Sequence, residues 1–467
     1  MKNKLKKILF LFALTGVMAN NIFAGNNEDL LEACKKGDLA KAKAAIEAGA
    51  NVNFVAADGF WTPLGAAFFW PEITKLLIEK GASLKNPTAM SNAAGVGSLE
   101  VIKALLAAGV DPNEPLVIDP YKNAQEALEK QKAAGANKKT IKAMEANLEK
   151  MKSNPTKLYP ITRVAKTTLC KECLDALIEK GAKADVVENI TEDNLAHNLA
   201  LNHEGAPYLN AVKAYTGGWE SAGFVVPDWY KNPDFKKLST LDAMIKVVVK
   251  AGANINGLTA AGQSPLLLAL RLNRVSPEAS LALINNGADV NLEDRGDNGH
   301  PLLHAAEMGN VEVLAEMFSH GADMNKEFKI MDKKIGQNLK GINPFMWAAR
   351  AGKLEAVKYL AEKGANLNET AHGTSFNFQT KCVTSVQNKT AIFFAIESGN
   401  LDVVKYLVEQ TKGNWSKKLT IDLLKQTSET ATEKITRCYN DQDYSPSEYA
   451  SGGGLAAIAD YLKSKNL

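Results

Sequence analysis

Apolar positions recur along the chain with a helical period, and the runs are cut by one repeated phrase. In Val357-Lys358-Tyr359-Leu360-Ala361-Glu362-Lys363 the apolar residues fall three and four apart, the spacing of one helix face, and Gly364 follows. That glycine opens Gly364-Ala365-Asn366-Leu367-Asn368, and related phrases begin at Gly49, Gly109, Gly252, Gly287 and Gly321, with looser copies at Gly81 and Gly181. Glycine suits a left-handed cap after a last helical turn, and Asp or Asn suits the turn beyond, so each phrase predicts a helix end. Upstream of each lies a second, alanine-rich pattern, as in Pro344-Phe345-Met346-Trp347-Ala348-Ala349-Arg350-Ala351-Gly352, with proline at a helix start and glycine at its stop. Two short helices and a turn per unit predict a stacked array. A single helix pair cannot bury its own apolar stripe. The pairs Ala93-Ala94, Ala305-Ala306 and Ala348-Ala349 are therefore small because neighbouring helices must approach closely there.

These units resemble ankyrin repeats, through openers such as Thr62-Pro63-Leu64, Ser264-Pro265-Leu266, His300-Pro301-Leu302 and Asn343-Pro344-Phe345 together with the Gly-Ala-Asp/Asn close. The resemblance implies an all-α ankyrin-repeat solenoid of about ten helix-turn-helix units, with short β-hairpin fingers and several insertions. Its organisation reads as a leader over 1–24, repeats over 26–114, a helical insertion over 115–157 and degenerate units over 158–201. An aromatic-rich insertion over 202–238, repeats over 239–413, an insertion over 414–443 and a C-terminal capping repeat over 444–467 complete it. Gly65 departs from the family pattern, which has His there, and Pro71 lies in a shortened turn.

The insertions carry more information than the repeats, because additions to a stacked array map to loops. Residues 115–157 hold good helix formers with charges at helical spacing and predict a protruding helical hairpin. Residues 202–238 gather Tyr215, Trp219, Phe224, Trp229 and Tyr230 among glycines and prolines, well above the chain's 7% aromatic content. Two readings stand: an exposed binding loop using Trp219, Trp229 and Tyr230, or rings that pack the loop onto the array. Two further insertions, 370–388 and 414–443, are polar.

Composition narrows the class. With 467 residues, 46% hydrophobic and 23% charged, the chain is neither disordered nor collagen-like. Lys2, Lys4, Lys6 and Lys7 precede an apolar run from Ile8 to Ala19, too short to span a bilayer, which reads as a bacterial secretory signal and an exported, periplasmic or secreted protein. Removing those four positives takes the formal net charge from +3 to −1 and leaves no basic nucleic-acid footprint and no membrane span.

Chemistry-bearing residues are sparse. Among five cysteines, Cys34 fills an alanine slot of the first unit. Cys170-Lys171-Glu172-Cys173 has redox or metal spacing, but it opens a second helix rather than following a strand, and no second Cys or His pair supports zinc. The ankyrin pattern places Cys382 and Cys438 in consecutive fingers, which implies a disulfide between them. The six histidines lack metalloprotease spacing, and no phosphate loop or nucleophile elbow occurs. No catalytic, metal or cofactor site is predicted.

In the ankyrin arrangement the first helices line a concave face. Three residues past the opener, the register gives Leu268, His304, Trp347 and Phe394; six past it, the charged ladder Arg271, Glu307, Arg350 and Glu397. Aromatic rings and Arg dominate binding energy at interfaces, whereas a charged ladder can equally satisfy itself. The resemblance implies a monomeric, non-catalytic scaffold that binds another protein. Alternatives are an immunity or inhibitor protein, a secreted effector and, third, thiol-redox activity at Cys170 and Cys173.

Overall fold

The computed structural model describes residues 25–85, 87–118, 120–135, 137–150, 155–187, 193–201, 206–231, 240–272, 277–293, 299–332, 337–377, 382–411, 419–426, 442–444 and 455–466. The chain divides into two units, Met1–Asn254 and Ile255–Leu467. Among the described residues no helix is long and apolar enough to cross a membrane, and the leader over 1–24 lies outside them.

The phrase-opening glycines end helices as the pattern predicts. Gly49, Gly81, Gly109, Gly181, Gly252, Gly287, Gly321 and Gly364 all have φ between +85° and +102°, a conformation that costs a side-chain-bearing residue. The first unit contains the helix pairs α1 (25–36) and α2 (Leu39–Glu47), α3 (Pro63–Ala66) and α4 (Pro71–Glu79), and α5 (Pro87–Val96) and α6 (Leu99–Ala107). A two-stranded ribbon, β1 (Leu116–Ile118) with β2 (Thr156–Leu158), then carries a protruding hairpin of α7 (Pro120–Ala133) and α8 (Lys138–Lys150). Stacking resumes with α9 (Pro160–Thr167) and α10 (Lys171–Glu179). It closes with α11 (Leu195–Leu201) and α14 (Leu241–Lys250), between which α12 (Ala206–Ser221) and α13 (Asp228–Lys231) are inserted. First helices pack in the row α3, α5, α9, α11, and second helices in the row α2, α4, α6, α10, α14.

The closing Asn of several phrases ties one pair to the next. The Asn53 carboxamide oxygen accepts from the Ser83 N–H at 2.6 Å, and its amide nitrogen donates to the Gly81 carbonyl at 3.2 Å. Asn113 makes the same two bonds, to Lys183 and Gly181, at 2.9 Å each. It does so across the whole helical hairpin, so the insertion leaves the row of second helices unbroken. Each bond satisfies a loop backbone group that would otherwise depend on water.

The second unit repeats the plan with α15 (Pro265–Leu272) and α16 (Glu278–Asn285), α17 (Pro301–Met308) and α18 (Val311–Ser319), α19 (Pro344–Arg350) and α20 (Leu354–Glu362), and α21 (Ala391–Ser398) and α22 (Leu401–Thr411). A final helix, α23 (Ala456–Ser464), packs on α22. Its fingers include the expected hairpins, and these pair further into a larger sheet. β3 (Phe328–Asp332), β4 (Gln337–Ile342), β5 (Ala371–Asn377), β6 (Cys382–Lys389), β7 (Leu419–Gln426) and β8 (Gln442–Tyr444) form one antiparallel sheet in sequence order. The polar insertion 370–388 is thus a hairpin, and 419–426 extends the same sheet. A finger of up to eight residues per strand can pair with the finger of the next unit, because stacked units hold them side by side. Phe328 and Ile330 are buried while Lys329 between them is exposed, the alternation of an antiparallel sheet with one face towards water.

Candidate functional site

The second unit holds a cleft of about 650 Å³ along its first-helix row, lined by Gln263, Leu268, Arg271, His304, Glu307 and Lys353 among others. Proline at N1 of α17 and α19 fixes where those helices begin, so residues three and six positions on recur on one face. Arg271, His304 and Glu307 from the predicted stripe therefore meet there. His304 Nδ1 lies 3.4 Å from Glu307 Oε2 one turn along the same helix. Trp347 and Arg350 are half-buried, with the guanidinium 4.4 Å from the indole centroid.

Phe394 does not belong to this surface. It is 0% exposed, because the end of β6 brings Lys389 over the ring at 4.3 Å from its centroid. The Lys389 ammonium is itself buried and donates to Glu397 Oε1 at 2.6 Å, so Glu397 serves an internal ion pair. Burial pushes the Lys389 pKa down, opposed by Glu397 and reinforced by the charge of Arg350. Sequence reasoning missed Lys389, Lys353 and Gln263. A lysine closing a polar strand carries no pattern that marks it as buried.

Over its described residues, 206–231, the aromatic insertion of the first unit is largely helical, and Trp219, Phe224 and Tyr230 pack inward while Tyr215 is exposed. Trp219 and Phe224 lie 4.9 and 5.2 Å from Phe68, and Tyr230 lies 5.5 Å from Phe69. The Val225 N–H donates to the Lys35 carbonyl at 3.1 Å, and Lys35 Nζ donates back to the Ala222 carbonyl at 3.3 Å. Trp219 and Tyr230 thus hold α12 and α13 onto α1 and the residues flanking α3, while Trp229 stays 46% exposed. These rings had apolar partners available in Trp61, Phe68 and Phe69, which supply the burial a loop alone lacks. Trp219→Ala is expected to cost about 2 kcal/mol, below a fully buried ring. Limited trypsinolysis should then cut faster at Lys213 and Lys231; an unchanged cleavage rate would count against this anchoring.

The cysteines divide. Cys170 and Cys173 form a disulfide, whereas Cys34 is free and buried, its thiol pushed up to about 12 by desolvation. Cys438 lies outside the described residues, as does His203, so the Cys382–Cys438 bridge falls outside them too. His197 is buried at the start of α11, where its Nδ1 accepts the Asn194 N–H at 3.2 Å. Among the described residues no three His, Cys, Asp or Glu side chains come together as a metal site.

A family model described as ankyrin repeats in three copies matches residues 30–115 and 327–418, the stretches that hold the clearest helix pairs of each unit. The chain carries ankyrin repeats. Its repeats are 28% identical over 189 residues to the ankyrin repeat protein nuc-2 of Neurospora crassa, a match covering 40% of this chain and 13% of that one. They are 35% identical over 81 residues to the potassium channel AKT1 of Arabidopsis thaliana, covering 17% and 8%. The chain thus spans only 13% and 8% of the length of these relatives. Among solved structures, the human ASB11 ankyrin repeat domain aligns with a TM-score of 0.36 and 16% identity, covering 62% of this chain and 90% of that one. Ankyrin repeats generally serve as scaffolds that bind other proteins.

Proposed function

We propose that this chain is a non-catalytic scaffold that binds another protein through the first-helix cleft of its second unit. The observation that carries the reading is the cleft itself. Arg271 and Lys353 present two exposed cations beside His304 and Glu307, with Leu268 and Met308 supplying apolar contact. Such a mixture of charged and apolar side chains is what protein interfaces use. A preformed repeat surface also spares the ordering cost that a loop would incur on binding.

The test is a double charge reversal, Arg271→Glu with Lys353→Glu, read as affinity for the partner isolated with the native chain. At least about a tenfold loss is expected. Lys103→Glu on the second-helix side of the first unit should leave affinity unchanged. Equal affinity of the double variant and the native chain would remove the cleft from consideration.

We further propose export, supported by the Lys2–Lys7 cluster and the apolar run behind it. N-terminal sequencing of the protein recovered from its native cells checks this, and an intact Met1 would end it.

A further inference from the structure

Binding leaves the Cys170-Lys171-Glu172-Cys173 motif without a role. Its two sulfurs are joined, with the Cα atoms 5.3 Å apart, and the pair opens the nine-residue helix α10. Cys170 is the N-cap residue, and its Sγ accepts the Cys173 N–H at 3.2 Å. The sulfurs are not equivalent. Cys173 is 0% exposed and backed by the buried Leu174 and Leu177, whereas Cys170 is partly exposed. An incoming thiolate therefore has one sulfur to reach. As a staple the bond does little, because a disulfide spanning two intervening residues restrains far less of the unfolded chain than a long loop. Helix α10 is held independently by packing on α6, α9 and α14 and by the Lys171–Asp175 ion pair.

We propose that Cys170–Cys173 is an exchange-active disulfide that oxidises a peptide or protein dithiol, with Cys170 the sulfur attacked. One substrate thiolate attacks Cys170 Sγ; a bond forms between the substrate sulfur and Cys170 Sγ, the Cys170–Cys173 bond breaks, and its electron pair passes to Cys173 Sγ, which takes up a proton. The second substrate thiolate attacks the first substrate sulfur, closing the substrate disulfide and releasing Cys170 as a thiolate. Each substrate thiol gives up its proton to water on ionising, and the released Cys170 thiolate takes up one in turn, so the substrate loses two electrons and two protons and the cysteine pair gains them. Both leaving sulfurs depart at the N-terminus of α10, where first-turn N–H groups and the helix dipole favour negative charge. A better leaving thiolate speeds exchange.

The test uses the full oxidised chain and a synthetic peptide bearing two reduced cysteines. The expected result is stoichiometric conversion of the peptide to its disulfide, with the chain gaining two hydrogens by intact mass. After mild reduction of the wild-type chain, iodoacetamide should label Cys170 at least about tenfold faster than Cys173, and Cys34 should stay unlabelled. Cys173→Ser should trap glutathione from its disulfide at position 170, and Cys170→Ser should not trap it at 173. The labelling needs no variant, so it stands even where a substitution impairs folding. An unoxidised peptide, a pair that stays closed in excess reduced glutathione, or equal labelling of the two cysteines would each overturn the proposal.

Discussion

Glu397→Ala is expected to destabilise the second unit by about 3 kcal/mol, the lower end for a broken buried ion pair, because Glu397 keeps partial contact with water. Its removal leaves the Lys389 ammonium, 2% exposed, over the Phe394 ring and close to the positive Arg350. The cost lies in desolvating a charge that has lost its carboxylate. The pH dependence fixes the sign. Burial holds the Lys389 pKa below its usual value, so folding disfavours its protonated form. The unit therefore gains stability from this group as pH rises from the shifted pKa towards 10.5, the value for the free side chain. In the Glu397→Ala chain that alkaline recovery should be larger and begin at lower pH, since the carboxylate that raised the pKa is gone. Urea unfolding across neutral to alkaline pH measures both effects. Pairing Glu397→Gln with Lys389→Met, which removes both charges at similar volume, should restore most of the loss. A single variant as stable as the native chain at neutral pH would refute the account.

Gly373→Ala carries the second large effect, about 2–3 kcal/mol, at the overpacking end for substitutions in a close-packed site. Gly373 lies in β5, paired with Leu339 on β4 and Val386 on β6, with φ at +157°. A Cβ built there would stand 2.0 Å from the Asn338 carbonyl oxygen, a backbone atom that cannot swing aside. The strands must separate to admit it, so the register bulge beside Gly373 cannot persist unchanged. Amide exchange in β4 and β5 should accelerate, while α15 and α16 keep their protection. Unchanged exchange in β4 would show that the strands accommodate the methyl group.

How much was legible in the sequence follows from what kind of signal each feature leaves. The helix pairs were readable because Gly, Pro and Asn act locally: Gly321 must turn the chain whatever surrounds it, and Asn343 caps its own helix through the Met346 N–H. The helical hairpin was readable for the same reason, since α7 and α8 draw on intrinsic propensity. The sheet was not, because it joins fingers more than thirty residues apart in sequence, as Leu339 with Gly373, and no local pattern specifies that pairing. The stripe was legible as a register but not as a surface. His304 and Phe394 occupy equivalent slots, and only the chain arriving from β6 decides that one faces solvent and the other lies under Lys389. The aromatic insertion shows the same limit, since whether Trp219 binds outward or inward depended on Phe68 standing opposite.

The two bonds from Asn113 to residues some seventy positions later separate the load the stack carries from the length of chain between its layers. Leu116 and Leu158 sit directly opposite each other, so the arm leaves and re-enters at adjacent points. An arm mounted in that way is an exchangeable attachment. Other cargo sequences whose ends meet can occupy the same socket without the layers beneath having to be rebuilt.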